Sequence, residues 1–357
     1  MKKSIVCDKL NQNLTYFDLI DAMKSVRFIR ALGIKNIHDT AMIRYGLDEQ
    51  ALGIPDSVFH NPMNLIPVSE MSRWLLKLEF KTGDPDIVLN VTQNIELGRL
   101  GAAGRWMFSG HDLSSTIRRI NYGIRSLQSG AFMAGEQKGS LIKWYYDNTY
   151  VSSDVKVHDS VRVAVFMMKV LREYLGKGFV PKRVMLSGSR VNKAAYQAYF
   201  GCEVGWNHYR TEIWLHSDQR LATQLHRTVT KNRLAMSFSD LDEFINMPDP
   251  EDELKVIYEV VKYSCHFGLP NLMRVSGILG VSQQHFQRLL HARGLNFSTV
   301  CGYVLSNVAV ELISRHVPLD QVAARLGYTN ITSFNRMFKR HRGLTPLQYI
   351  QRFQDAF

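Results

Sequence analysis

Apolar residues follow a helical period over most of residues 15–130, break into short strand-like runs between residues 140 and 216, and return to a helical period from residue 254 onward. In the first stretch Leu19, Met23 and Val26 mark one helix, entered through Asn13–Phe17. Met71, Trp74, Leu75 and Leu78 put one apolar face on a helix over Ser69–Thr82, which the turn cluster Gly83-Asp84-Pro85-Asp86 closes. Leu113, Ile117, Ile120 and Ile124 do the same over Leu113–Leu127. In the second stretch Ser140–Tyr146 and Tyr150–Val157 read as a hairpin joined at Asp147-Asn148. A long helix over Ser160–Leu175 carries Val163, Phe166, Met167 and Val170 on its apolar side. Arg183–Ser187 reads as a short strand, Asn192–Phe200 as a helix ended by Gly201, and Glu212–His216 as a last strand. This mixture predicts an α+β domain.

The final stretch holds one pattern twice. In Leu319–Gly343, Leu319, Val322, Ala323 and Leu326 recur at i, i+3, i+4 and i+7, a short helix with one apolar stripe. Gly327 then supplies the backbone freedom of a sharp helix stop. In the next helix Phe334, Met337 and Phe338 face inward, and Thr332, Asn335, Arg336 and Lys339 form the opposite face. Upstream, Leu272, Val275, Leu279 and Gly280 match Leu319, Val322, Leu326 and Gly327, while Phe286 and Arg288 match Phe334 and Arg336. Ser282 is placed to cap the second helix of that copy, whose outward face carries Gln284, Gln287, Arg288 and His291. Between the copies Phe297–Arg315 contains no proline and one glycine. That predicts one rod-like helix of about 28 Å, close to the ~34 Å repeat of successive major grooves. Guanidinium, amide and hydroxyl groups on such a face suit major-groove base edges. A solvated outer face is the plainer reading of any single helix pair, and the duplication is what favours nucleic acid.

Charge points the same way. The chain carries a net +12, and residues 254–357 hold 12 Lys and Arg against 4 Asp and Glu, an electrostatic footprint for phosphates. The basic excess before residue 234 is spread thinly and reads as solvated surface. Residues 234–253 hold 7 acidic residues and no basic one, with Pro248 and Pro250 among them. Residues 236–253 are therefore expected to be an acidic linker between domains at 1–235 and 254–357. Asp249, Glu251, Asp252 and Glu253 could also compete with phosphate for the basic domain, an autoinhibitory reading.

The second copy carries A-x-x-L-G-Y at Ala323–Tyr328, S-F-x-R-x-F-K at Ser333–Lys339 and G-x-T-P-x-x-Y at Gly343–Tyr349. Over roughly residues 255–353 the chain resembles the DNA-binding domain of the AraC/XylS family of bacterial transcription regulators. Thr345 before Pro346 suits the N-cap and first position of a last helix. The resemblance implies an all-α domain with two helix-turn-helix units, about 270–294 and 318–343, joined by the long helix. It implies sequence-specific binding of double-stranded promoter DNA. By position, the base-facing residues are Gln284, Gln287 and Arg288 in the first unit, and Ile331, Thr332, Ser333 and Arg336 in the second. Lys339 and Arg340 are assigned to phosphates. Leu305 stands where the family's linking helix often has a basic residue, so no phosphate contact is carried over there. Gly178–Val184 (G-F-x-P-x-x-V), Tyr196–Val204 (Y-x-x-Y-F-G-C-x-V) and Leu97–Gly101 (L-G-R-L-G) are similar to the N-terminal, arabinose-binding-like domain of a subgroup of these regulators. This second likeness implies effector sensing and leaves room for a homodimer; RNA polymerase is a separate possible partner. It leaves open whether the protein activates or represses.

Other chemistry finds little support. Asp8 and Lys9 end the apolar start of the chain, and no uninterrupted apolar run approaches the about 18 residues of a membrane span. Cys7, Cys202, Cys265 and Cys301 form no C-x-x-C pair, which fits a reducing cytoplasm. Leu97–Gly104 is glycine-rich without being a phosphate-binding loop. His208 and His216 lack a metal-ligand spacing. Cys202 lies in F-G-C-E, not in the P-C-H of alkyl-transferring cysteine enzymes that can be fused to AraC-type domains. No cofactor, metal or enzymatic role is expected. Trp106, Trp144, Tyr145, Tyr146 and Trp214 could wall an effector pocket but read equally as core, so the effector site stays unassigned. Two alternatives remain: a non-specific DNA-binding protein, and an enzyme within residues 1–233 that the DNA domain only targets.

Overall fold

The computed structural model describes residues 24–93, 97–223 and 236–354. They form two compact units: Arg27–Met247, and Pro248 onward together with Lys24–Val26. Of the helix expected from Leu19, Met23 and Val26, the first two positions lie outside the described residues, and Val26 is not helical.

In the first unit, β1 (Phe28–Arg30) is followed by α1 (Leu32–Tyr45), the one-turn helices α2 (Glu49–Leu52) and α3 (Asp56–Phe59), and β2 (Leu65–Pro67). β1 and β2 pair antiparallel, with Ile29 opposite Ile66. Next come α4 (Val68–Thr82), α5 (Ile87–Thr92), α6 (Gly101–Met107) and α7 (Leu113–Leu127). α4 buries Met71, Trp74, Leu75 and Leu78, the face its period predicts. α7 opens on a capping box, in which the Asp112 carboxylate accepts the Ser115 N–H at 2.7 Å. It buries Leu113, Ile120 and Ile124. Ile117 is only half-buried, and the inward place beside it goes to Thr116, bonded to the Tyr174 hydroxyl at 2.5 Å.

The chain then forms β3 (Ala131–Lys138), β4 (Leu141–Asn148), α8 (Lys156–Leu175), β5 (Arg183–Met185), α9 (Lys193–Phe200), β6 (Val204–Gly205) and β7 (Thr211–His216). The five strands make one sheet in the order β3-β4-β7-β5-β6, antiparallel except for β5 with β6. α8 is buried along most of its length because it packs on β7 and α5. The expected hairpin is corrected. β4 pairs with β3, not with residues 150–157, and the turn lies at Gly139, whose φ is +61°. Asp147 and Asn148 sit inside the strand, opposite Phe132 and Ala131.

The expected linker is corrected as well. Its acidic residues include α10 (Phe238–Ile245), a capped helix within the first unit. Ser237 accepts the Asp240 N–H at 3.0 Å, and Phe244 is buried against Trp106 at a ring separation of 5.7 Å. Arg30 holds its end by donating to the carbonyls of Glu243 and Phe244.

The second unit is helical: α11 (Glu253–Ser264), α12 (Leu272–Ile278), α13 (Gln283–Ala292), α14 (Phe297–Ser314), α15 (Leu319–Arg325), α16 (Ile331–Arg342) and α17 (Pro346–Gln354). Side-chain caps punctuate it. Asp252, Asn271, Ser282, Asn296 and Asn330 each accept a backbone N–H three residues on. Thr345 and Gln348 cap α17 reciprocally. Among the described residues, α14 alone is long and apolar enough to cross a membrane, by length and composition. Its composition has a local cause, since α11, α15 and α16 all pack along it. Leu305, for which no phosphate contact was carried over, is buried there at 3% exposure.

Candidate nucleic-acid interface

Each helix-turn-helix is built from a short helix, a glycine turn and a capped second helix. In the first, α12 ends at Gly280 (φ +73°), and Ser282 caps α13 by accepting the His285 N–H at 3.3 Å. α13 buries His285, Phe286, Leu289 and Leu290. Gln284, Gln287, Arg288 and His291 are all exposed, as are the flanking Gln283 and Ala292. At about 100° per residue, Gln284 and His291 lie near the middle of the exposed arc, with Gln287 and Arg288 on either side. His291 is therefore a candidate contact that position-by-position carry-over leaves out, although the helical period alone places it outward.

In the second unit α15 ends at Gly327 (φ +85°), and Asn330 caps α16 by accepting the Ser333 N–H at 2.8 Å. Phe334 and Phe338 are fully buried, and Met337 is half-buried. Ile331, Thr332, Ser333, Arg336, Lys339 and Arg340 are exposed. With about 100° per residue, Lys339, Thr332, Arg336, Arg340 and Ser333 span one arc centred on Arg336, and Ile331 lies outside it, about 80° beyond Lys339. Asn335, expected outward, is half-buried and its Oδ1 has no hydrogen-bond partner. Ser333, Arg336 and Arg340 together line a cleft of about 430 Å³ that also takes in Phe297 and Ser298, the first turn of α14. Lys339 does not line it, so the two residues assigned to phosphates occupy different sides of α16.

Arg293 pairs with Glu253, Arg315 with Glu311 at 2.8 Å, Arg342 donates to Asn307, and Arg274 lies 3.8 Å over the Phe267 ring. The side chains of Arg288, Arg325, Arg336, Lys339, Arg340 and Arg352 make no hydrogen bond or ion pair among the described residues. Burial, with Arg340 and Arg342 adding to it, lowers the His341 pKa. Two acids of the autoinhibitory reading also have structural partners. Asp252 caps α11, and Glu253 pairs with Arg293.

The described thiols, Cys202, Cys265 and Cys301, are all held toward the protonated form. Burial pushes Cys265 and Cys301 up to about 12. Burial also raises Cys202, and Glu203 adds to the rise. Among the described residues no group of three or more His, Cys, Asp or Glu side chains could hold a metal ion.

Against known proteins, the family description "Arabinose-binding domain of AraC transcription regulator, N-term" matches residues 46–221, and "Helix-turn-helix domain" matches residues 275–352. The chain belongs to the AraC family. Uncharacterized HTH-type transcriptional regulators of Mycobacterium bovis and Mycobacterium tuberculosis are each 38% identical over 85 residues, 23% of this AraC-family chain and 24% of theirs. The HTH-type transcriptional regulator RipA of Corynebacterium diphtheriae is 26% identical over 117 residues, 32% of this chain and 34% of its own. The chain thus spans about a quarter to a third of the length of these curated relatives. The crystal structure of transcriptional regulator CdpR from Pseudomonas aeruginosa aligns with a TM-score of 0.42 at 16% identity, covering 90% of this chain and 98% of that one.

Proposed function

We propose that this chain is a cytoplasmic, sequence-specific DNA-binding transcription regulator whose first domain senses a small molecule. The observation that carries the reading is the pair of capped helices α13 and α16. Each presents an uncommitted arginine among amide, imidazole or hydroxyl groups, while Arg274, Arg293, Arg315 and Arg342 are engaged internally. Arginine reads guanine bidentately, and hydroxyls and amides refine the choice. α14, with 18 residues, is about 27 Å long, which suits two units reading successive major grooves. A homodimer and contact with RNA polymerase belong to the same proposal and rest on family resemblance alone.

Selection of bound sequences from a random DNA pool, at physiological salt with excess competitor, tests this reading. A motif with two recognition patches about one helical turn apart supports it. Recovery of no motif, with or without the first domain, overturns it in favour of non-specific binding. Two substitutions then separate readout from phosphate contact. Arg336→Ala should cost about 1–3 kcal/mol and relax preference at one base pair. Uniform weakening on all sequences would contradict that role. Lys339→Ala should weaken every sequence alike and reduce the slope of log affinity against log salt by about one. Titration of both variants against the selected site and a scrambled duplex, at several salt concentrations, reads both effects.

A further inference from the structure

The two recognition helices share one internal register. Ser282 caps α13 by accepting the His285 N–H, and Asn330 caps α16 by accepting the Ser333 N–H. Phe286 and Leu290 on α13 are fully buried, as are Phe334 and Phe338 on α16. One constant interval along the chain relates cap to cap, capped residue to capped residue, and each of these buried residues to its counterpart. The same interval carries Arg288 onto Arg336 and His291 onto Lys339, and sets Ala292 against Arg340. His291 is exposed, as Lys339 is. Among the described residues no hydrogen bond, ion pair or ring contact engages its imidazole.

The charges near His291 are few. On α13, Arg288 shares the exposed face and His285 is buried on the other side. Arg293, at the C-terminal end of α13, is tied to Glu253 of α11. α12 packs against α13 and carries one charged residue, Arg274, which lies over the Phe267 ring. α14 meets α13 where Phe297 approaches Phe286 at a ring separation of 6.0 Å, and its one charged residue, Glu311, lies near its other end, paired with Arg315 and Lys262. The exposed arc of α16 therefore offers DNA three cations, Arg336, Lys339 and Arg340, while that of α13 offers Arg288 and an imidazole.

We propose that His291 is a DNA phosphate contact of the first helix-turn-helix, in the place Lys339 holds in the second, so that the first unit grips DNA more tightly when this imidazole is protonated. The proposal rests on reading the second domain as DNA-binding. A recognition helix meets base edges through its N-terminal residues. His291 lies about 10 Å further along the helix axis than Gln284, on the same face, where the backbone at the edge of the groove comes within reach. Histidine is the side chain whose charge changes around neutral pH, and a phosphate beside it favours the charged form. Binding then takes up a proton. The contact is complete at low pH and is lost as pH rises, whereas lysine and arginine keep their charge over that range.

Fluorescence anisotropy of the full chain with two labelled duplexes tests this, one of mixed sequence and one recovered by the selection above, at about pH 6 and about pH 8.5 and several salt concentrations. Between the two pH values the unsubstituted chain should lose about 3- to 10-fold in affinity for both duplexes. Its slope of log affinity against log salt should fall by about one. His291→Gln should show the lower slope at both pH values and little change in affinity between them. His291→Lys should keep the higher slope at both, a rescue that a merely structural histidine would not give. Thermal melts check that both variants are folded. A pH dependence that survives in His291→Gln overturns the proposal, and so does an unchanged salt slope of that variant at about pH 6. Weakening of the selected duplex alone by His291→Gln overturns it too, because the imidazole would then read a base. DNA binding with no pH dependence removes this role and leaves the DNA-binding reading standing. Failure to bind either duplex at any pH removes both.

Discussion

Arg30→Ala should destabilise the first unit by about 3–5 kcal/mol. Arg30 is 2% exposed, yet it makes four hydrogen bonds to carbonyls of three separate segments. Its Nε donates to Ser126 at 2.7 Å, near the end of α7, and one terminal nitrogen donates to Met63 at 2.8 Å, just before β2. The other donates to Glu243 at 2.5 Å and Phe244 at 3.1 Å, in the last turn of α10. The last carbonyls of a helix lack partners within it and carry the negative end of the macrodipole, so a guanidinium there is well matched. Alanine leaves all four carbonyls without this donor and leaves a void. Lysine should rescue little, because a compact ammonium cannot reproduce the planar fork. Urea unfolding gives the loss in stability. Amide hydrogen exchange over 238–245 should rise well beyond the exchange of β4 if Arg30 is what holds α10. A loss below about 1 kcal/mol would show that other contacts suffice.

The second large effect separates two glycines that occupy the same place in the repeated pattern. Gly327→Ala should cost about 2–4 kcal/mol, because the substitution combines a strained backbone with an overlap. Its φ is +85°, and a Cβ there would lie 2.5 Å from the Leu269 nitrogen and 3.0 Å from Gly268 carbons. Those are backbone atoms and cannot swing aside. Gly280→Ala has a comparable φ of +73° but nothing within 4 Å of its Cβ. It should cost only about 1–2 kcal/mol, the backbone strain by itself. Parallel denaturant melts of the two variants, followed through the helical signal, make the comparison. Equal costs would mean that the close approach of Leu269 has no energetic consequence.

Much of the candidate interface was legible because a helix face is a local property. Residues i, i+3 and i+4 share a side whatever the helix packs against, so the buried Phe334 and Phe338 already imply an exposed Arg336. The caps Ser282 and Thr345 were legible for the same reason. Asn335 was misplaced because it borders the buried face, where neighbouring elements decide how much of a side chain water reaches. The hairpin was misplaced because strand pairing is not local. Gly135 and the polar end of β3 hid a strand that only its partner β4 stabilises, and Asp147-Asn148 imitated a turn. The acidic run looked like a linker because composition reports solvation. Composition does not report that Trp106 and Arg30, both more than 130 residues earlier, would receive Phe244 and its carbonyl.

By itself, then, the sequence determined the duplicated helix-turn-helix, its exposed faces and the α+β character of the first unit, all consequences of short-range periodicity and backbone chemistry. Only the tertiary structure decided where that first unit ends, which arginines remain uncommitted, and that Gln128 and Arg162, 34 residues apart, are hydrogen-bonded to each other. Those are matters of long-range packing, in which a group's partners come from segments its neighbours in the chain do not specify.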